Sequence, residues 1–146
     1  MIDFLFVYGT LRRAIAAPAH ELFRQHADYV DEALFQGRLY DLGNYPGAIT
    51  SERLVDKVHG EVFRLYTPKP TLALLDQYEG IHGGTKPWPE QYRRITSPIV
   101  ASQHGRLIAW VYEYAMPIEG KTRVEHGDYA RHLKSRPNYR PPQIPT

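Results

Sequence analysis

The chain has 146 residues, no cysteine and a formal charge of +2, long enough for one domain that buries about two-thirds of its unfolded surface. Without cysteine there is no disulfide framework, thiolate metal site or cysteine nucleophile, and a reducing, cytoplasmic compartment is expected. Lys and Arg are spread along the chain rather than blocked into a stripe, which argues against a nucleic-acid partner, and the first apolar run is too short for a signal peptide or a membrane span.

Phe4-Leu5-Phe6-Val7 reads as a strand covered on both faces. It stops at Tyr8-Gly9-Thr10-Leu11, followed by Arg12-Arg13. Gly9 allows the backbone to bend and a ligand to approach, and successive N–H groups at such a bend can bind a carboxylate or a developing oxyanion. Tyr-Gly-Thr by itself is also what a strand ending at a surface glycine looks like. Pro18 opens a short helix that carries Leu22 and Phe23 on its apolar face and ends near His26. Residues 32–42 read as a strand interrupted at Gly37 by a bulge or a close backbone crossing. A turn at 43–47 leads to a short strand, 48–50, and residues 58–65 form a strand with protein on both sides.

Thr67 caps the clearest helix, Pro68 or Pro70 begins it, Leu72, Leu75, Asp76 and Glu79 share one side, and Gly80 closes it. Residues 82–89, rich in Gly and Pro, form a loop able to cover a pocket. A strand from 92 to 100 follows, then one from 107 to 114 with Trp110, Tyr112 and Tyr114 on one face and Ala109, Val111 and Glu113 on the other. Residues 136–146 are too Pro-rich for helix or central strand and read as a surface arm or disordered tail after a single domain over 1–135. The predicted fold class is α+β, a small mixed sheet curled toward a barrel with flanking helices.

Glu79 is the candidate acid/base. It lies at the C-terminal end of a helix with a buried upstream face, where desolvation and the helix end both raise a carboxylate's pKa toward neutrality. The alternatives are a solvent-exposed Glu79 and a catalytic Asp76 one turn earlier. The seven histidines have no metal-ligand spacing, so no metal site is expected. Ser51, Ser97 and Ser102 lack the strand-turn-helix elbow of a serine hydrolase. Tyr8, Tyr40, Tyr45, Tyr92 and Tyr112 are candidate pocket lining.

Four blocks, Tyr8-Gly9-Thr10-Leu11, Gly37-Arg38-Leu39-Tyr40, Tyr45-Pro46-Gly47-Ala48 and Gly60-Glu61-Val62-Phe63, followed by Leu74 to Gly80, Tyr92-Arg93-Arg94, Ala109 to Tyr112 and Gly127-Asp128-Tyr129, occur in one order. That order resembles the gamma-glutamylcyclotransferase-like proteins, above all the small gamma-glutamylamine cyclotransferase branch and its bacterial relatives. The resemblance implies a small mixed barrel with flanking helices. It implies Glu79 as general acid/base and substrate binding by Tyr8, Gly9, Thr10 and Leu11, with Tyr45 and Tyr92 in the pocket. The implied reaction is intramolecular attack of a gamma-glutamyl amine's alpha-amine on its own gamma-carbonyl, releasing 5-oxoproline and an amine, with a small-molecule substrate and neither cofactor nor metal. Two alternatives stay open: removal of a gamma-glutamyl protecting group from a larger biosynthetic conjugate, and a non-enzymatic small-molecule binding module. The 81–89 loop, longer than the family's usual link, and the Pro-rich tail depart from the pattern, and the motifs select neither a particular gamma-glutamyl substrate nor an oligomeric state.

Overall fold

The computed structural model describes residues 2–137. Its elements in chain order are β1 (Phe4–Val7), α1 (Pro18–Phe23), β2 (Ala27–Asp41), β3 (Pro46–Thr50), β4 (Lys57–Leu65), α2 (Pro68–Tyr78), β5 (Tyr92–Ala101), β6 (Gly105–Tyr114), β7 (Thr122–Val124) and α3 (Tyr129–Lys134). The sheet runs β3-β2-β4-β1-β6-β5, and β2 also pairs with β5, so β2, β4, β1, β6 and β5 close into a barrel. All ladders are antiparallel except β1 with β6, where Leu5 stands opposite Trp110 in a parallel pair.

β2 serves two layers. Its first part pairs with β4, and Ala33, Leu34 and Phe35 close the barrel against Ala101, Val100 and Ile99. Residues 37–41 then leave the barrel to pair with β3, and 39–41 also pair with β7. The strand is continuous through Gly37 and begins five residues earlier than the sequence suggested. The irregularity lies instead between Tyr29 and Asp31, where the register shifts. Gly37 is a close backbone crossing, since a Cβ there would come within 2.4 Å of the Ile49 carbonyl. α1 is shorter than expected, ending at Phe23. β7 and α3 were not anticipated; Asp128 caps α3 by accepting from the Arg131 N–H. Of the expected tail, the Arg136 guanidinium bonds Asp41 and, at 3.2 Å, the Gly43 carbonyl. Residues 138–146 lie outside the described residues.

The barrel interior holds Phe6, Phe35, Val58, Val62, Ile99 and Val111, while Leu5, Val7, Phe63, Leu65, Tyr112 and Tyr114 face a second layer with Phe23, Leu72 and Leu75 from the helices. β1 therefore feeds both cores by strict alternation, which is why its four residues are all apolar. β6 alternates as its sequence suggests, with Ala109 and Val111 inward and Tyr112 and Tyr114 outward. Among the described residues no helix is long and apolar enough to cross a membrane.

Glu61 of β4 is fully buried, yet its carboxylate is matched: one oxygen accepts the Arg13 N–H at 2.8 Å and the other the Ala14 N–H at 3.1 Å. Arg12, also buried, lies with Nε 3.7 Å from Glu61 and donates through Nη1 to Asp128 at 3.0 Å. The chain leaving β1 is thus pinned to β4 and to the cap of α3. Glu61→Gln turns one of the two acceptors into an N–H donor facing a backbone N–H, so we expect a loss of about 2–4 kcal/mol in stability. Urea denaturation checks this; a loss below about 1 kcal/mol, the scale of an ordinary hydrogen bond, would mean that the carboxylate does not anchor the loop.

Candidate functional site

A cavity of about 730 Å³ opens where the C-terminal end of β1 meets the end of α2 and the starts of β3 and β5. Tyr8, Gly9, Thr10, Leu11, Tyr45, Glu79 and Tyr92, the seven positions singled out from sequence, all line it. Tyr112 does so as well, whereas Tyr40 does not; it stands in β2 between Gly47 and Arg123. Asn44, Pro46, Tyr78, Gln91 and Met116 join the lining with no sequence signal for them, and Trp88 and Pro89 bring the 82–89 loop to the cavity wall. Among the described residues Glu79 is the single carboxylic acid in the wall, and no Lys, Arg or His contributes to it.

Glu79 is placed by the way α2 stops. Its own N–H donates to Leu75 O at 2.8 Å, Gly80 N–H to Gln77 O at 3.1 Å and Ile81 N–H to Asp76 O at 2.8 Å, the pattern of a Schellman closure. Gly80 supplies the left-handed residue that this closure needs, at φ +77°. The Glu79 carboxylate has no protein hydrogen-bond donor among the described residues, and burial pushes its pKa from the ordinary 4.5 up to about 7.

Asp76 takes a different part. Arg94 binds both its oxygens, Nε at 2.8 Å and Nη2 at 3.1 Å, and the Tyr112 hydroxyl donates to it at 2.7 Å. The Arg94 guanidinium also lies 4.4 Å over the Trp110 ring. A carboxylate held this way ties α2 to the barrel and lies outside the cavity lining.

The tyrosines present rings to the cavity and keep their hydroxyls for the protein. Tyr8 donates to the Tyr112 carbonyl at 2.5 Å and accepts from Ala48 N–H at 3.2 Å; Tyr92 donates to the Pro46 carbonyl at 2.6 Å and Tyr45 to Gln91 at 2.8 Å. Burial first, then the Glu79 carboxylate for Tyr8 and the Tyr8 phenol followed by Glu79 for Tyr92, holds both far above the usual phenol range, so both stay neutral donors. In the loop, Arg12 N–H closes onto Gly9 O at 3.0 Å, while the N–H groups of Gly9, Thr10 and Leu11 have no protein acceptor among the described residues. These free amides and Glu79 border one cavity, a combination suited to holding an anion beside a group that moves a proton. Gly9 owes its identity to Pro46, whose Cγ would lie 3.0 Å from an added Cβ, rather than to a left-handed backbone. Among the described residues no group of three or more His, Asp or Glu side chains is placed to hold a metal ion.

Barrel, cavity and acid together define a gamma-glutamylcyclotransferase-like fold, and the family model for gamma-glutamyl cyclotransferase, AIG2-like, matches residues 5–131; the chain belongs to that family. The YtfP family proteins of Citrobacter rodentium and Escherichia coli are 33% and 32% identical to it, each over 86% of this chain and over 93% and 94% of their own. Among solved structures, YkqA from Bacillus subtilis superposes with a TM-score of 0.69 at 25% identity, over 94% of this chain and 44% of that longer one. The solution structure of Escherichia coli YtfP gives 0.53 at 31% identity, over 86% of this chain and 95% of that one.

The raised pKa of Glu79 makes stability depend on pH. The folded protein holds this proton more tightly than the unfolded chain, so the group's contribution is fully present below about pH 4.5 and is lost as pH rises through about 7. Glu79→Gln removes the effect. We expect the variant to gain on wild type by up to about 2–3 kcal/mol between pH 4.5 and 8, at about 1.4 kcal/mol per pH unit reduced by partial exposure to solvent. Urea denaturation of both proteins at the two pH values tests this, and a gap that does not change with pH would contradict it.

Proposed function

We propose that this protein is a gamma-glutamylamine cyclotransferase with Glu79 as its general acid/base, acting on a small gamma-glutamyl substrate in the cytoplasm. The observation that carries this reading is geometric: the half-buried Glu79 carboxylate, which has no protein hydrogen-bond donor among the described residues, shares one cavity with Gly9, Thr10 and Leu11, whose N–H groups have no protein acceptor among the described residues. The Gly9, Thr10 and Leu11 amides receive the substrate's alpha-carboxylate or the oxyanion that forms at its gamma-carbonyl. Glu79, ionised above pH 7, takes a proton from the alpha-ammonium, and the freed amine attacks the gamma-carbonyl carbon to close a five-membered ring. The bond from that carbon to the amide nitrogen then breaks. Two protons in all pass from the alpha-nitrogen to the leaving nitrogen, with Glu79 as carrier, so the products are 5-oxoproline and a protonated amine.

Ring closure is intramolecular, so holding a flexible glutamyl chain in the folded form supplies much of the rate. The aromatic walls contribute by shape, since their hydroxyls are already committed to the protein.

Glu79→Gln keeps the shape of the side chain and loses the base, so we expect turnover to fall by about two to four powers of ten while 5-oxoproline still binds. In wild type, kcat/KM should decline as pH falls below about 7, following Glu79 protonation. Asp76→Asn should retain that pH limb and show a lower melting temperature, because it weakens the Arg94 pair and leaves the base in place. Mass-spectrometric detection of 5-oxoproline from gamma-glutamyl amines, dipeptides and the epsilon-lysine isopeptide measures all of these. Loss of turnover in Asp76→Asn with full activity in Glu79→Gln would reverse the assignment, and binding without turnover on any of these substrates would make the protein a binding module.

A further inference from the structure

The cavity has two unlike ends. Tyr8, Tyr92 and Tyr112 form its buried inner part, and the rim is Tyr45, Tyr78 and Trp88, all exposed to solvent, with Met116 beside them. About 730 Å³ is the size that encloses a drug-sized molecule, far more than a glutamyl group needs. Among the described residues the aromatic rim carries no basic side chain.

Trp88 is not held there loosely. His82 Nε2 lies 2.9 Å from the Trp88 carbonyl and must donate to it, which leaves Nδ1 to accept from Gly84 N–H at 3.1 Å. Thr85 Oγ1 donates to the His82 carbonyl at 2.7 Å, and the His82 ring meets the indole edge-on with centroids 6.3 Å apart. Gly83 and Gly84, at φ +61° and +83°, allow the tight fold. An indole 57% exposed at a cavity mouth, on a loop braced from within, is apolar surface prepared for a ligand.

We propose that Trp88 is a specificity determinant that selects gamma-glutamyl amines whose leaving amine is aromatic or large and apolar and carries no carboxylate. This rests on the cyclotransferase reading above. With the glutamyl part at Glu79 and the Gly9 to Leu11 amides, the amine substituent extends to the rim and lies on the indole. A carboxylate on that substituent enters a wall whose one carboxylate is Glu79 and in which no Lys, Arg or His takes part among the described residues; Lys86, with Nζ 6.0 Å from the indole centroid, stands outside the lining.

The test uses three substrates with the full-length protein: gamma-glutamyl-phenethylamine, gamma-glutamyl-ethylamine and gamma-glutamylglycine. We expect kcat/KM for the phenethylamine compound to exceed each of the others at least about tenfold, mainly through KM, because an indole contact made in the ground state persists in the transition state. Trp88→Ala should bring the phenethyl-to-ethyl ratio near one, and Trp88→Phe should keep most of it, with melting curves taken on both variants. In parallel, calorimetry on Glu79→Gln measures binding of the same compounds without turnover. Turnover of all three at similar kcat/KM, or a ratio unmoved by Trp88→Ala, overturns the Trp88 proposal and leaves the cyclotransferase reading standing. Selective binding without turnover in wild type overturns the reaction and supports the selectivity of the rim. Absence of both binding and turnover overturns both.

Discussion

Glu61 is a carboxylate with no access to water, at the centre of a sheet, opposite Val7 on one side and Glu32 on the other. A charge in that position is stable only if the protein supplies the donors that water would have supplied. Arg13 and Ala14 do so with their backbone N–H groups, and to reach them the chain leaving β1 must fold back over β4. That requirement fixes the course of the loop. His20, whose Nδ1 lies 2.8 Å from the Leu11 carbonyl, secures the loop from its other side. With residues 12–14 and the Leu11 carbonyl committed, Gly9 to Leu11 line the cavity with N–H groups that have no protein acceptor among the described residues. The donors of the candidate site are therefore a remainder, made available because their neighbours are spoken for.

The two glutamates illustrate how one side chain takes two characters. Glu61 has donors on both oxygens and serves the framework, while Glu79 sits at the end of α2 with none among the described residues, and its partial burial makes it bind a proton more firmly than a free carboxylate does. The same division runs through the tyrosines. Tyr8, Tyr92 and Tyr112 spend their hydroxyls on Tyr112 O, Pro46 O and Asp76, cross-linking β1, β3, β5, β6 and α2 around the cavity. What the described residues leave on the cavity wall is apolar ring, the Gly9 to Leu11 backbone, the amide side chains of Asn44 and Gln91 and one carboxylate. Side-chain changes at Thr10 or Leu11 would alter the shape of that loop without removing its backbone N–H groups.

The sequence made the strands legible where apolar content and alternation agree, as in β1, β4 and β6, and made α2 legible from its prolines and from Gly80. Fold class and family came from the order of short motifs, each weak alone. The start of β2 was hidden because Asp28, Asp31 and Glu32 break its alternation beside a register shift, and Asp31 is satisfied from the β5–β6 turn by Gln103 N–H at 2.6 Å. β7 and α3 are too short for periodicity to register. In the site, Glu79 was readable from its place on the helix, but Asp76 became a framework residue only through Arg94, a partner 18 positions away. The rim position of Trp88 depends on the folding of a loop with no repeating pattern, and Glu61 inside a strand looked like any polar residue on a sheet.

The way the barrel closes also governs how the chain can be made. β1 lies between β4 and β6, and β2 meets β5 through pairs such as Leu34 with Val100. A growing chain that has reached Leu65 has the segments for an open sheet of β3, β2, β4 and β1, in which β1 is an edge with unpaired backbone groups and an apolar side chain at every position. Its parallel partner arrives only with residues 105–114, after the two longest excursions of the chain, and contacts of such separation are slow to find. Phe4 to Val7 is thus synthesised ahead of every other described strand and is one of the last to be fully covered, so the period between those events is when the chain is most open to aggregation or to a chaperone. The cavity, whose lining runs from Phe6 to Met116, exists only after that period ends.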